Sequence, residues 1–172
     1  MADGTQNPDS ASTVLSRLRE FLDSQDVDYR VVEHAATRTS EESARARGEE
    51  LRVGGKALVL KVDSMFQLYV LPADRRLDAA AIKRWRKAKK IRFATPEELR
   101  EQTGLVPGSV PPFGHPVLPY ELFADSSFRQ QERIAFNAGS LTTSFVLKMG
   151  DYLRTAEPTI FEFAEPPVGE DG

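Results

Sequence analysis

The chain has 172 residues, of which 40% are hydrophobic and 28% are charged, and its formal net charge is −3. These values fit one globular domain with its own core and disfavour a protein that binds nucleic acid over its whole surface. The absence of cysteine excludes disulfides, thiol nucleophiles and zinc bound by cysteine. The N-terminus lacks the apolar segment of a signal peptide, and no apolar run reaches the length of a membrane span, so we expect a cytoplasmic location.

The two ends of the chain differ in composition from the rest. Residues 1–11 are predicted to form a disordered arm and residues 166–172 a disordered tail, because both are polar and poor in large apolar side chains. Residues 12–165 then form a single domain. Its first helix is predicted to begin at Ser12 or Thr13. The apolar face of that helix consists of Val14, Leu15, Leu18, Phe21 and Leu22.

Four further elements follow in the first half of the domain. The sequence DYRVVEH at 28–34 predicts a strand, and the capping box that Thr39 opens predicts a short helix that ends near Gly48. The segments 56–63 and 66–72 are rich in β-branched and aromatic residues and are separated by a short turn. They predict a β-hairpin whose first strand is buried.

A helix rich in basic residues is predicted over 79–90, with Asp78 as its N-cap. The inner face of this helix is predicted to carry Ala81, Ile82, Trp85 and Ala88. Its other face has six basic residues and no acidic one, which is common for a solvated face but also suits a nucleic-acid backbone. We therefore consider Lys83, Arg84 and Lys87 as candidate contacts to phosphates.

Strands dominate the rest of the domain. After a short strand at 91–94, Thr95 opens a second capping box, and Gly104 ends the helix that follows it. Further strands are predicted at 117–125, 132–139, 143–150 and 159–165, with a helical turn at 151–156. Together these elements predict an α/β (α+β) fold in one domain, with helices packed around a mixed, mostly antiparallel sheet.

The loop VPGSVPPFG at 106–114 contains three prolines and two glycines in nine positions. Proline removes a backbone donor and glycine weakens regular structure, so the loop can form neither a helix interior nor a central strand. It is either a linker or a rigid backbone that approaches a ligand closely.

Few side chains are candidates for chemistry. No metal-ligand spacing and no G-x-S-x-G motif occurs, so we expect neither a metal nor another cofactor. Lys56 follows two glycines at the start of a buried strand, where it is either a solvated strand-end lysine or an ammonium directed at an anionic or carbonyl group. Asn137 is either part of a turn or an amide that orients a substrate. His34 and His115 are either solvated polar residues or substrate contacts.

Three stretches together resemble the YbaK/ProX family of aminoacyl-tRNA deacylases, which includes the editing domain inserted in bacterial prolyl-tRNA synthetases. They are the lysine in GGKALVLKV, the segment KIRFATPEELREQTGLVPGSVPPFG, and FNAGS followed by SFVLKMGDYL. Each motif is short, but their order and separations match the family over residues 27–164.

The resemblance implies hydrolysis of the ester that joins a wrong amino acid to the 3′ end of a tRNA. Its partners are then tRNA and, as a further option, an aminoacyl-tRNA synthetase. By position, the family's functional lysine is Lys56, and backbone N–H groups at Gly108 and Gly114 surround the ester. The substrate contacts predicted here are His34, Phe113, His115, Asn137, Ala138 and Gly139. Contacts to the tRNA at Lys83, Arg84 and Lys87 are predicted from charge alone and not from the resemblance.

Three places depart from the family pattern, and at one of them Pro119 and Tyr120 follow the loop where other members are often basic. Val32 stands where some members have tyrosine, and Ser144 stands where some have an acidic residue. These departures leave the amino-acid specificity open. Val32 and Ser144 also keep a second hypothesis open, a non-catalytic module of the same fold that binds tRNA or a synthetase. A general esterase of small substrates is a third hypothesis, although the sequence has no nucleophile motif for it.

Overall fold

The computed structural model describes residues 6–167, and the side chains of residues 14–167. The helices of this part of the chain are α1 (Gln6–Ser24), α2 (Ser40–Arg47), α3 (Ala79–Arg86), α4 (Pro96–Thr103) and α5 (Met149–Ala156). Its strands are β1 (Tyr29–Glu33), β2 (Gly55–Val62), β3 (Met65–Pro72), β4 (Arg76–Leu77), β5 (Ile91–Phe93), β6 (Leu122–Asp125), β7 (Arg133–Asn137), β8 (Thr143–Lys148), β9 (Thr159–Phe161) and β10 (Ala164–Glu165). None of these helices is long and apolar enough to cross a membrane.

The strands form three sheets instead of the single sheet expected from the sequence. The largest has the order β5-β2-β3-β6-β9, in which the pairs around β2 are antiparallel and those around β6 are parallel. The strands β1, β8 and β7 form an antiparallel sheet, and β4 pairs with β10. An isolated bridge between Gly54 and Ala135 links the two larger sheets. The predicted mixed α/β fold of one domain is thus confirmed, although its strands are divided among three sheets.

The main core lies between the two larger sheets. Val59 and Val70 from one sheet and Ile134 and Phe136 from the other belong to the same buried cluster, together with the inner faces of α1 and α4. A smaller cluster lies on the opposite face of the five-stranded sheet, under Ile82 of α3. Both faces of this sheet are therefore covered, which explains why β2 and β3 are nearly continuous apolar runs.

Helix α1 begins at Gln6, before the predicted start at Ser12 or Thr13. The predicted disordered arm at 1–11 therefore overlaps this helix, and residues 1–5 and 168–172 lie outside the described residues. The predicted apolar face is buried, since Val14, Leu18 and Leu22 are each 0% exposed.

Helix α3 is shorter than predicted, because it ends at Arg86 and not at residue 90. Lys87 adopts a left-handed conformation with a φ of 56°, and the carboxylate of Asp63 then accepts the backbone N–H groups of Lys89 and Lys90 at 2.9 and 3.0 Å. These bonds replace helical ones. Trp85, which we expected on the inner face, is 47% exposed and stacks on Phe161 at a ring distance of 4.1 Å.

The predicted strands at 117–125 and 159–165 are also shorter in the structure. The first is regular only over Leu122–Asp125, and the second is split into β9 and β10. The split has a local cause, because one carboxylate oxygen of Asp125 accepts the backbone N–H groups of Phe163 and Ala164 at 2.7 and 2.8 Å.

The loop 106–114 carries a core residue that its sequence does not suggest. Phe113 is 1% exposed, and its ring lies 5.3 Å from that of Tyr152 and 5.6 Å from that of Phe136. The second half of the loop therefore belongs to the main core.

We predict that Phe113→Ala lowers the free energy of unfolding by about 3–5 kcal/mol, because it leaves a cavity among these rings. Phe93→Ala is the matched control, since Phe93 is 58% exposed, and its effect should stay within about 0.5 kcal/mol. Urea unfolding of both variants measures the difference. Equal effects of the two substitutions would contradict the buried position of Phe113.

Candidate active site

A cavity of about 220 Å³ opens beside the bridge that links the two larger sheets. Its wall is formed by residues 37–43 around the start of α2, by Gly54–Leu58 at the start of β2, by the loop 106–110 and by the end of β7. The volume is below the roughly 300–1,000 Å³ of pockets for drug-sized molecules, so the cavity suits a small group. None of the described residues that line it is acidic.

Three residues predicted as functional line this one cavity: Lys56, Gly108 and Asn137. They come from β2, from the proline-rich loop and from the end of β7, which are far apart in the sequence. The structure thus brings together the lysine, the loop backbone and the amide on which the sequence prediction depended.

Lys56 lines this cavity and also a groove that contains Asp74 and Arg75. Its ammonium donates to the carbonyl oxygen of Arg75 at 3.3 Å, and its side chain is half-buried. Burial lowers the pKa of Lys56, and the negative charges of Glu41 and Asp74 oppose this effect. The lysine is therefore a partly desolvated cation, which interacts more strongly with an anionic group than a solvated lysine does.

The amide of Asn137 holds the loop. Its Nδ2 donates to the carbonyl oxygen of Gly108 at 2.8 Å. Gly108 has a φ of 89°, a conformation that favours glycine. Its N–H group has no acceptor among the described residues. Because Gly108 lines the cavity, this N–H group is a candidate donor to a ligand bound there.

Arg47 is a cavity residue that the sequence analysis missed. It is 8% exposed, its Nε donates to the hydroxyl of Ser144 at 2.9 Å, and its Nη2 donates to Oδ1 of Asn137 at 3.2 Å. Burial lowers the pKa of Arg47 to about 10, and the charge of Glu49 partly offsets this. A signal was available, because Arg47 lies three residues after Ala44 on the inward face of α2.

Hydroxyl groups form another part of the wall. Thr37, Thr39, Ser40 and Ser43 all line the cavity, and the hydroxyls of Thr37 and Ser43 are 2.7 Å apart. Thr39 also caps α2, as predicted from its capping box, by accepting the N–H group of Glu42. This wall offers donors and acceptors without charge.

His34 and Ser144 do not line the cavity but are hydrogen-bonded, directly or through each other, to its lining residues Arg47 and Asn137. Nε2 of His34 is 2.8 Å from the hydroxyl of Ser144, and its Nδ1 is 2.9 Å from the carbonyl oxygen of Ala35. The hydroxyl of Ser144 also donates to Asn137 at 3.0 Å. His34 thus reaches the cavity residues through Ser144 and does not itself line the cavity.

The other predicted substrate residues do not line the cavity. Ala138 is fully buried, and a Cβ atom at Gly139 would lie 3.2 Å from the backbone nitrogen of Leu15. A Cβ atom at Gly114 would lie 2.5 Å from the carbonyl oxygen of Tyr120. Close packing thus accounts for the glycines at both positions. His115 is exposed, and Phe113 lies in the core.

The candidate tRNA contacts are exposed and lie outside the cavity. Lys83 lines a groove together with Lys61, Lys89, Lys90 and Arg92. Arg84 instead lies beside Trp85 and Phe161. Lys83 and Arg84 therefore lie in two different grooves, and Lys87 lines neither of them.

The comparisons with known proteins agree on one family. The model of the family "Aminoacyl-tRNA editing domain" matches residues 34–155. The Escherichia coli (strain K12) multifunctional Ser/Thr-tRNA deacylase ProXp-y is 39% identical over 158 residues, which cover 88% of this chain and 93% of that protein. A proline–tRNA ligase of Shouchella clausii is 33% identical over 138 residues, which cover 78% of this chain but 24% of the ligase.

A solved structure, described as a candidate trans-editing enzyme for prolyl-tRNA synthetase, superposes with a TM-score of 0.78 at 29% identity. The match covers 91% of this chain and 98% of that one. This chain therefore belongs to the aminoacyl-tRNA editing domain family, as the sequence motifs predicted. Membership supports deacylation of mischarged tRNA, that is, hydrolysis of its 3′ aminoacyl ester.

We predict that Lys56→Met raises the urea midpoint of unfolding at neutral pH, because it removes a cation that is costly to desolvate. The pKa of Lys56 is lower in the folded state than its usual value of 10.5, so the destabilisation is complete below the folded pKa and disappears as the pH rises to that value. The gain should therefore shrink at high pH. Lys61→Met on the same strand is the control, and an equal rise there would contradict the prediction.

Proposed function

We propose that this editing-domain protein hydrolyses seryl and threonyl esters at the 3′ end of mischarged tRNA. The observation that carries the proposal is one small cavity lined by three cations (Arg38, Arg47 and Lys56), a backbone donor and a wall of hydroxyl groups, with no lining carboxylate. The activity of the Escherichia coli relative, a Ser/Thr-tRNA deacylase, supports the same substrate class.

The N–H group of Gly108 receives the oxyanion that develops on the ester carbonyl. A single donor of this kind contributes about 3 kcal/mol to transition-state stabilisation in other enzymes. The ammonium of Lys56 anchors the 3′ end of the tRNA through its phosphate or through the region of the carbonyl. Since Asn137 fixes the Gly108 carbonyl at 2.8 Å, the donor is oriented before the substrate binds.

The attacking water is activated by the substrate itself, through its α-amine or a ribose hydroxyl. The proposal rests on the lining of the cavity, where none of the described residues is a carboxylate or an imidazole. A general base within reach of the water must come from elsewhere, and the substrate carries both groups next to the ester.

Specificity for serine and threonine comes from the hydroxyl wall. A site that hydrogen-bonds a substrate hydroxyl discriminates strongly against an analogue that lacks it, because its own polar groups are left unpaired. The paired hydroxyls of Thr37 and Ser43 provide such a site. Alanine, which lacks the hydroxyl of serine, is then a poor substrate.

The exposed side chains of Lys83, Arg84 and Lys87 contact the acceptor stem in this proposal. The proposal also includes association of this protein with an aminoacyl-tRNA synthetase. The similarity of the chain to a domain-sized part of a proline–tRNA ligase supports such an association. The reaction then takes place in the cytoplasm, where tRNA is charged.

The activity is tested by single-turnover deacylation of one tRNA charged in turn with serine, threonine and alanine. Seryl and threonyl esters should be hydrolysed at least about 10²-fold faster than the alanyl ester. Lys56→Ala should slow hydrolysis of the seryl ester by about 10²-fold. Binding of all three without hydrolysis would instead support a non-catalytic module, and esterase turnover without tRNA binding would support a general esterase.

The tRNA contacts are tested by replacing Lys83, Arg84 and Lys87 together with glutamine. Affinity for tRNA should fall, and the slope of its logarithm against the logarithm of salt concentration should decrease by about 2–3. The control replaces three exposed cations elsewhere, Arg100, Arg129 and Lys148. Equal affinities of the two variants at low salt would remove the assignment of α3.

A further inference from the structure

Among the described residues, Arg47 is a buried cation without a counter-ion of its own. It is 8% exposed, and its two hydrogen-bond partners, Ser144 and Asn137, are both neutral. The nearby carboxylate of Glu49 forms ion pairs with Arg30 and Arg133, at 2.8 Å each. Burying a guanidinium without neutralising it is costly, and such a group suggests a use for its charge.

One nitrogen of Arg47 remains available to a ligand. Its Nε and Nη2 are engaged, while Nη1 donates to no described residue. This nitrogen lies by the cavity edge at Gly54, where an added Cβ atom would be 3.5 Å from it. Since Arg47 lines the cavity, its guanidinium Nη1 can donate a hydrogen bond to a group bound there.

The position of Arg47 determines which part of the substrate it meets. Arg47 is more deeply buried than the half-buried Lys56, so it lies away from the phosphates of the entering tRNA. It is also joined through Asn137 to the Gly108 loop. The group between Arg47 and Gly108 is therefore the ester, and a cation there repels the α-ammonium of the amino acid and attracts the carbonyl oxygen.

We propose that Arg47 is a catalytic residue whose Nη1 donates a hydrogen bond to the carbonyl oxygen of the aminoacyl ester. This inference rests on the proposed deacylase function. Water adds to the carbonyl carbon, the bond to the ribose oxygen breaks, and a proton from the water ends on that oxygen. Arg47 transfers no proton and stabilises the negative charge on the carbonyl oxygen of the tetrahedral intermediate.

Chemical rescue separates this role from a structural one. Arg47→Ala should slow single-turnover hydrolysis of seryl-tRNA by about 10²-fold. Millimolar guanidinium should restore a large part of the rate saturably, whereas urea, which has nearly the same shape but no charge, should not. Arg45→Ala, an exposed position on the same helix, should keep the parent rate. A parent-like rate for Arg47→Ala, equal rescue by urea, or rescue by neither would overturn the proposal.

A conservative variant covers the case in which Arg47→Ala fails to fold. Arg47→Lys keeps the charge but cannot donate from the position of Nη1 while also holding Ser144 and Asn137. Its rate should fall at least about 10-fold, as expected for loss of a charge-assisted hydrogen bond. A parent-like rate for this variant would overturn the contact.

Binding of an uncleavable analogue tests Arg47 independently of hydrolysis. Adenosine that carries serine through a 3′-amide should bind Arg47→Lys at least about 10-fold more weakly than the parent, and Arg45→Ala as tightly as the parent. If the parent binds in this way but hydrolyses no ester, the proposed function fails and the Arg47 contact stands. If the parent hydrolyses seryl-tRNA but both proteins bind the analogue equally, only the Arg47 contact fails. If the parent protein does not bind the analogue at all, the proposed contact of Arg47 with the carbonyl oxygen is also overturned.

Discussion

The side-chain amide of Asn137 connects the segments that form the cavity. Its Nδ2 holds the carbonyl of Gly108, while its Oδ1 accepts from Arg47 of α2 and from Ser144 of β8. Every polar atom of the amide is thus used in a place that is 8% exposed, and a polar group buried this deeply is costly to leave unpaired. Because the amide joins a loop, a helix and a sheet, the shape of the cavity depends on it.

The cavity combines three cations with neutral polar groups, and the burial of two of them, Lys56 and Arg47, has a cost in stability. Burial lowers the pKa of both Lys56 and Arg47, which means that desolvation in the folded state disfavours their charged forms. The same desolvation strengthens their attraction for an ester whose carbonyl gains negative charge during hydrolysis. Functional sites commonly keep such groups although they lower the stability of the protein.

Much of this arrangement could be predicted from the sequence. The N-cap at Thr39, the capping box at Thr95, the hairpin of β2 and β3, and the places of Lys56 and Gly108 in the cavity wall follow from local patterns and from ordered motifs. The early end of α3 could not, since it depends on the carboxylate of Asp63 from another segment. Nor could the depth of Arg47 or of Phe113, because an arginine in a polar helix and a phenylalanine in a proline-rich loop are normally exposed. Tertiary contacts override both local signals.

The central claim is that the aminoacyl ester lies between Gly108 and Arg47, with Lys56 in the wall of the same cavity. A crystal structure of the protein with serine joined to the 3′ position of adenosine by an amide tests it most directly. The account predicts that the carbonyl oxygen of the ligand lies within hydrogen-bonding distance of the Gly108 N–H group and of Nη1 of Arg47. A ligand bound outside this cavity, or one whose carbonyl points away from both donors, would contradict it.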